Sequence, residues 1–217
     1  MAYRELLKKD LFGEIRVEDG PGGRVVVRDT AGANGWVRWL ARALMQREAR
    51  ALAALDEVDG VPRVEKVERF FLVRQQIDGQ PLHVARTRQP DYYRAAAKLL
   101  RTVHRRHVAH NDLAKEPNLL VRDDGRPAFV DFQLAVFAPG RGRLFRLMAW
   151  DDIRHLLKHK RSYCPEQLTA REKRILDSPS LPSRLFRATI KPVYLFVTRR
   201  LLGWSDREGA GDRGARY

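Results

Sequence analysis

Cysteine is almost absent from this sequence, which has Cys164 as its single thiol in 217 residues. One cysteine cannot close an intrachain disulfide, so a small secreted domain held together by disulfide bonds is excluded. The sequence also shows no N-terminal pattern of a secretory signal and no run of about 18 apolar residues that would span a membrane. We therefore expect a cytoplasmic protein.

Acidic residues are scarce as well: 27 of them face 42 lysines and arginines, which gives a net charge of +15. Between residues 141 and 217, 18 cationic residues face 8 acidic ones, so ten of the fifteen excess charges lie in this last third. Such a charge favours polyanionic partners, namely nucleotide phosphates, anionic lipid or nucleic acid. We do not expect nucleic acid, because the sequence has neither a stacking aromatic motif nor a recognition-helix signature.

Residues 181–204 combine these cations with many apolar side chains. The pattern is typical of a basic amphipathic helix at a membrane surface, which predicts peripheral contact with the inner membrane. It equally fits a C-terminal helix that packs on the domain with a solvated basic face. The sequence leaves both interpretations open. Residues 205–217 contain three glycines and charges of both signs, which predicts a disordered tail.

The first half of the chain alternates short apolar runs with turn residues. Residues 12–17 and 24–28 flank a turn-rich segment and predict a hairpin. The apolar spacing over residues 36–55 predicts an amphipathic helix. Two further strands are expected at residues 64–67 and 70–77.

The second half begins with a helix predicted over residues 91–107, for which Asp91 is the expected N-cap. A second hairpin is expected from residues 119–121 and 128–132, and the chain looks helical from about Trp150 onward. Strands followed mainly by helices indicate an α+β fold.

Two motifs lie at the junctions of these elements. The segment His110-Asn111-Asp112 is followed by Asn118, and Asp131-Phe132-Gln133 comes directly after the second hairpin. In order and context they resemble the HRD…N and DFG motifs of the protein-kinase-like superfamily. Over about residues 7–157 the sequence is most similar to an atypical bacterial branch, the RIO-type and lipopolysaccharide-core (Kdo or heptose) kinases.

The resemblance implies a bilobal kinase-like domain over residues 1–204. Its N-lobe, about residues 1–77, would be a small antiparallel sheet with one helix. Its C-lobe, about residues 80–204, would be helical and reduced in size.

The resemblance also implies chemistry for these residues. Phosphoryl transfer needs a carboxylate to accept the proton of an attacking hydroxyl, and oxygen ligands for Mg²⁺. Asp112 would be the catalytic base, and Lys115 would reach the transferred phosphate. Asn118 and Asp131 would bind Mg²⁺ and, through it, ATP.

Further matches to the family lie on both sides of this loop. Arg28 ends a strand that resembles the VAIK strand and would bind phosphate. Glu48 would be its ion-pair partner on the first helix, although an exposed strand cation and a solvated helix face are the alternatives. Hinge contacts to adenine would come from the backbone at residues 74–77. Asp152 would brace the catalytic loop, or else simply cap a helix.

Four departures distinguish this sequence from conventional protein kinases. Asn118 lies six residues after Asp112 where the family usually has five, so the loop must bulge. Arg28 stands where the family usually has a lysine, and its planar guanidinium spreads the charge that a lysine ammonium concentrates at one point. The expected glycine-rich loop offers only Gly13, and Gln133 replaces the glycine of DFG.

Two functions remain open. The first is an ATP- and Mg²⁺-dependent kinase whose acceptor is a hydroxyl of a protein Ser or Thr or of a lipopolysaccharide-core sugar. The second is a pseudokinase, a nucleotide-binding scaffold at a membrane surface or another polyanion.

Overall fold

The fold begins with a five-stranded antiparallel sheet in the computed structural model, which describes residues 4–178. The strand order is β1-β2-β3-β5-β4. The strands are β1 Arg4–Asp10, β2 Gly13–Gly20, β3 Gly23–Asp29, β4 Val64–Val67 and β5 Phe71–Gln75. The hairpin predicted in this region is therefore confirmed as β2 and β3, with strands longer than expected.

The edge strand β1 was not predicted. Its sequence RELLKKD is exposed over almost its whole length, so it lacks the alternation of buried and exposed residues that identifies a half-buried strand. It exists because β2 offers an open edge, to which it pairs from Arg4 through Asp10.

Helix α1, Arg38–Ala54, crosses from β3 to β4 and agrees with the helix predicted over residues 36–55. Its buried face carries Met45 and Ala49, which pack with Leu72 of β5. The same face also buries a charged residue, Glu48.

The second part of the described chain is mainly helical. Its elements are β6 Gln80–Pro81, α2 Leu82–Ala85, α3 Pro90–Arg105, β7 Val108–Ala109, β8 Leu119–Val121, β9 Pro127–Phe129, β10 Val136–Phe137, α4 Arg143–Tyr163 and α5 Ala170–Asp177. Strands β6, β8 and β9 form a small sheet in that order, and β7 pairs with β10. The main apolar core joins the end of α1 to α3, β8 and β9.

Two predicted helix starts differ from the structure. Helix α3 starts at Pro90 after Gln89, which makes no side-chain capping bond, so Asp91 lies in the first turn and is not the N-cap. Helix α4 starts at Arg143, two turns before Trp150. The extra residues, Arg-Leu-Phe-Arg-Leu-Met-Ala, are mostly good helix formers, and Gly142 is the N-cap.

The sheet on one side and the helical part on the other form the mixed α+β fold that the sequence predicted. Within residues 4–178 no helix is both long and apolar enough to cross a membrane. The predictions for residues 181–204 and 205–217 lie outside the described residues.

Candidate active site

The loop between β7 and β8 is held by a fully buried histidine at its start. The ring of His110 lies 4.4 Å from that of Phe132, centroid to centroid, and its Nε2 donates to the carbonyl oxygen of Val130 at 2.9 Å. The loop is therefore anchored to the strand end that carries Asp131.

Asp152 fixes the backbone of the same loop. Its Oδ2 accepts from the amide of His110 and its Oδ1 from the amide of Asn111, each at 2.8 Å. His104 donates a third bond to Oδ2 at 3.1 Å. Asp152 lies well inside α4, so it is not a helix cap. Its bonds help to hold Asn111 in the left-handed conformation, with φ of 61°.

Asp112 is the centre of the candidate site. Its Oδ2 lies 2.9 Å from Nζ of Lys115, and the side-chain amide of Asn118 donates to it at 3.0 Å. Burial raises the pKa of the Asp112 carboxyl above its ordinary value, and the nearby Asp131 raises that pKa further, while Lys115 opposes the shift. The loop thus brings three predicted residues into direct contact.

The extra residue before Asn118 is absorbed by a single turn of 3-10 helix, Glu116–Asn118. Lys115 approaches this turn in an extended conformation, and Asn118 donates from its backbone to the carbonyl of Lys115 at 3.1 Å. The asparagine then lies close enough to Asp112 for its side chain to donate to the backbone oxygen of Asp112 as well, at 3.0 Å.

Two residues of α4 support the loop between β7 and β8 and were not predicted to do so. His159 donates from Nε2 to the carbonyl oxygen of Leu113 at 2.8 Å, and burial lowers its pKa, so the ring is neutral at pH 7. The hydroxyl of Tyr163 donates to Glu116 at 2.5 Å. The sequence gives no signal for these contacts, because they depend on how α4 packs against the loop.

Asp131 has an unusual backbone and an unsatisfied side chain. Its φ is 62°, in the left-handed region. Its Oδ1 is buried and has no hydrogen-bond partner among the described residues. An unpaired buried carboxylate oxygen is costly unless a cation or donor meets it. Together with the side-chain amide oxygen of Asn118, it gives the hard oxygen donors that Mg²⁺ prefers, so these residues fit a metal of that kind.

The sheet side of the site carries the ion pair predicted from the sequence. Nε of Arg28 lies 3.1 Å from Oε2 of Glu48, and Nε of Arg74 lies 3.1 Å from Oε1 of the same carboxylate. Charge holds both contacts, since the atoms do not meet at hydrogen-bond angles. Glu48 is fully buried, so neither an exposed strand cation nor a solvated helix face describes this pair. The contribution of Arg74 was not foreseen.

Two further contacts join the sheet side to the segment after Asp131. Arg28 donates to the side-chain oxygen of Gln133 at 3.2 Å. Arg47 of α1 donates to the carbonyl oxygens of Leu134 and Ala135, at 2.8 and 2.6 Å. The cation and metal-ligand candidates are therefore parts of one connected arrangement.

The turn between β1 and β2 is where the resemblance places a phosphate-binding loop. Gly13 has φ of +117°, and a Cβ added there would lie 2.0 Å from the carbonyl oxygen of Asp29, so the backbone conformation and the close approach of β3 both require glycine. The nearby Lys8 and Lys9 form ion pairs with Asp10 and Glu14.

Comparison with known proteins supports the predicted fold but does not assign the sequence to a family. No family model matches the sequence. No curated protein matches it either. Among solved structures, the Rio2 kinase from Chaetomium thermophilum matches with a TM-score of 0.61 and 14% identity, over 94% of this chain and 73% of that one. The chain therefore has a protein-kinase-like fold of the RIO type.

Proposed function

We propose that this protein is an ATP- and Mg²⁺-dependent phosphotransferase that moves the γ-phosphate of ATP to a hydroxyl acceptor. The observation that supports this most is the arrangement around Asp112, which contacts Asn118 and Lys115 on a braced loop. Asp131, whose buried Oδ1 has no partner within residues 4–178, is close enough to raise the pKa of Asp112.

In this proposal Asp112 orients the acceptor hydroxyl and takes its proton. Its raised pKa makes it a stronger base than an ordinary aspartate. Asn118 keeps the carboxylate in position by donating to it. A bound Mg²⁺ ion, held by Asn118 and Asp131, would neutralise part of the triphosphate charge.

Cationic side chains would hold the transferred phosphate. Lys115 is largely exposed, with 60% of its side chain accessible, so it can turn from Asp112 to a phosphate oxygen. Arg28, placed by Glu48, would bind the other phosphates, because a guanidinium pairs well with phosphate oxygens.

The acceptor in this proposal is a Ser or Thr hydroxyl of a protein or a sugar hydroxyl of the lipopolysaccharide core. The net charge of +15 favours an anionic acceptor. We place the protein in the cytoplasm, with residues 181–204 as a peripheral contact to the inner membrane. Deletion of residues 181–217 should then abolish binding to vesicles that contain anionic lipid, and unchanged binding would remove this part of the proposal.

A pseudokinase remains the second candidate. The observation that favours it is the engagement of Arg28 by both Glu48 and Gln133, which competes with phosphate binding. In that case the protein would bind nucleotide without transferring phosphate.

One experiment separates these functions. ATP turnover with Mg²⁺ is measured for the wild type, Asp112→Ala and Asp131→Ala, with lipopolysaccharide core or a generic protein as acceptor. Exposed Asp56→Ala is the control. We expect both site variants to lose at least about a hundredfold in rate, and the control to keep full activity.

Binding of ATP is measured on the same proteins. Wild-type transfer no greater than that of both site variants, with ATP binding retained, would reject the enzyme and support the pseudokinase. Absence of ATP binding in the wild type would reject both functions.

A further inference from the structure

The two arginines that share Glu48 come from neighbouring strands. In the register of β3 and β5, Val26 pairs with Arg74 and Arg28 pairs with Leu72. Directly paired residues point to the same face of a sheet, and alternate residues of a strand do so too. Arg28 and Arg74 therefore lie on one face, the face on which α1 places Glu48.

This trio is nearly sealed from water. The exposed fraction of the side chain is 0% for Glu48, 9% for Arg28 and 11% for Arg74. Two guanidinium groups face one carboxylate, so the trio carries one excess positive charge by formal count. Each arginine uses a different oxygen of Glu48, so one can leave without displacing the other.

The proposed function requires Arg28 to turn toward phosphate. With Arg28 as its sole partner, Glu48 would then remain buried without a counter-charge, which is strongly unfavourable. The carboxylate would instead hold Arg28 back. A second cation that stays on Glu48 removes this conflict.

We propose that Arg74 is a positioning residue that neutralises Glu48, so that the charge of Arg28 is available to the phosphates of the nucleotide. This inference rests on the proposed function and adds a residue to it. Arg74 acts through Glu48 and Arg28 and does not itself contact the phosphates. Its effect is therefore specific to ligands that carry phosphate.

The competing role for Arg74 is contact with the base, because it lies where β5 runs into the hinge. The two roles differ in which ligands they affect. A base contact would support ATP and adenosine equally, whereas the positioning role supports ATP and inorganic tripolyphosphate but not adenosine.

The test measures dissociation constants for Mg-ATP, Mg-tripolyphosphate and adenosine by titration calorimetry on the full chain. Arg74→Met is compared with the wild type and with Arg63→Met, a control at an exposed arginine just before β4. We expect Arg74→Met to weaken ATP and tripolyphosphate about tenfold or more and to leave adenosine unchanged. The control should match the wild type for all three ligands.

A rescue variant tests whether Arg74 acts through its charge or only through the contacts that support the fold. Glu48→Gln combined with Arg74→Met removes both buried charges and restores one excess positive charge next to the phosphates. It should bind ATP more tightly than Arg74→Met alone, even if Arg74→Met is poorly folded. A purely structural role predicts the opposite order, because the double variant has lost more contacts.

Three results would overturn the inference. Unchanged ATP affinity in Arg74→Met is the first, and equal weakening of ATP and adenosine is the second. The third is a double variant that binds ATP no better than the single one. Failure of the proposed function is recognised separately, because the wild type would then bind neither ATP nor tripolyphosphate, and the inference would fall with it.

Discussion

The guanidinium of Arg28 donates to the side-chain oxygen of Gln133 at 3.2 Å, across 105 positions of the sequence. Gln133 is the residue that stands in place of the glycine of the DFG motif. Its side chain therefore does more than restrict the backbone: it connects the phosphate-binding candidate on β3 to the segment that follows Asp131. The contact is between a cation and a neutral oxygen, so phosphate can displace it.

Changing the charge of Gln133 should change nucleotide affinity. Gln133→Glu places a carboxylate oxygen where the amide oxygen now accepts from Arg28 at 3.2 Å, so the carboxylate would compete with phosphate for Arg28. We expect ATP binding to weaken about tenfold in Gln133→Glu. Gln133→Leu, which keeps the volume and removes the acceptor, should bind ATP at least as well as the wild type. Equal affinities for all three proteins would show that Arg28 does not bind phosphate.

The pH dependence of transfer should report on Asp112. Because burial raises its pKa, the acidic limb of the kcat/KM profile should lie above the ordinary range of an aspartate, with activity lost as the pH falls and the base becomes protonated. Lys115 lowers this pKa, so Lys115→Met should move the limb to still higher pH. A limb that does not move would mean that another group is the base.

The same raised pKa has a consequence for stability. When the pKa of a carboxyl is higher in the folded than in the unfolded state, the protein becomes less stable as the pH rises from the unfolded-state pKa to the folded-state pKa. Asp112→Asn removes this cost and keeps an oxygen to accept from Asn118. We expect it to abolish transfer while raising the free energy of unfolding at pH 7, on the order of 1 kcal/mol. Urea unfolding at pH 7 checks this, and a clear loss of stability would contradict it.

Much of this site could be predicted because its residues lie in linear motifs. Asp112, Asn118 and Asp131 belong to segments that resemble the HRD…N and DFG motifs, and the resemblance to the VAIK strand implied the pairing of Arg28 with Glu48. The predicted fold class came from the periodicity of the strands and helices. Strand β1 could not be predicted because its residues are exposed and mostly charged, so nothing in its own sequence indicates strand pairing.

The contacts that were missed depend on register and packing. Arg74 meets Glu48 because β5 pairs with β3 in one particular alignment, which no local pattern encodes. Arg47 likewise meets Leu134 and Ala135 only once α1 has docked. A sequence shows which residues can carry charge, but not which of them the fold brings to the same carboxylate.

Asp152 should be a structural requirement for the catalytic loop. Asp152→Asn would turn an amide toward one of the two backbone N–H groups that the carboxylate now accepts. We expect a loss of about 3 kcal/mol in the free energy of unfolding. Asp91→Asn, at an exposed position on α3, should change stability little. Equal urea midpoints for the two variants would show that the brace contributes nothing.

Gly13 offers a test of whether the β1–β2 turn needs glycine for its own geometry. Gly13→Ala introduces a Cβ 2.0 Å from the carbonyl oxygen of Asp29, at a φ of +117° that side chains rarely adopt. We expect a loss of about 3 kcal/mol in the free energy of unfolding, measured by urea denaturation. Gly22→Ala is the matched control, because its Cβ would meet no atom within 4 Å. If Gly13→Ala keeps its stability but loses ATP affinity, the glycine serves the phosphates and not the turn.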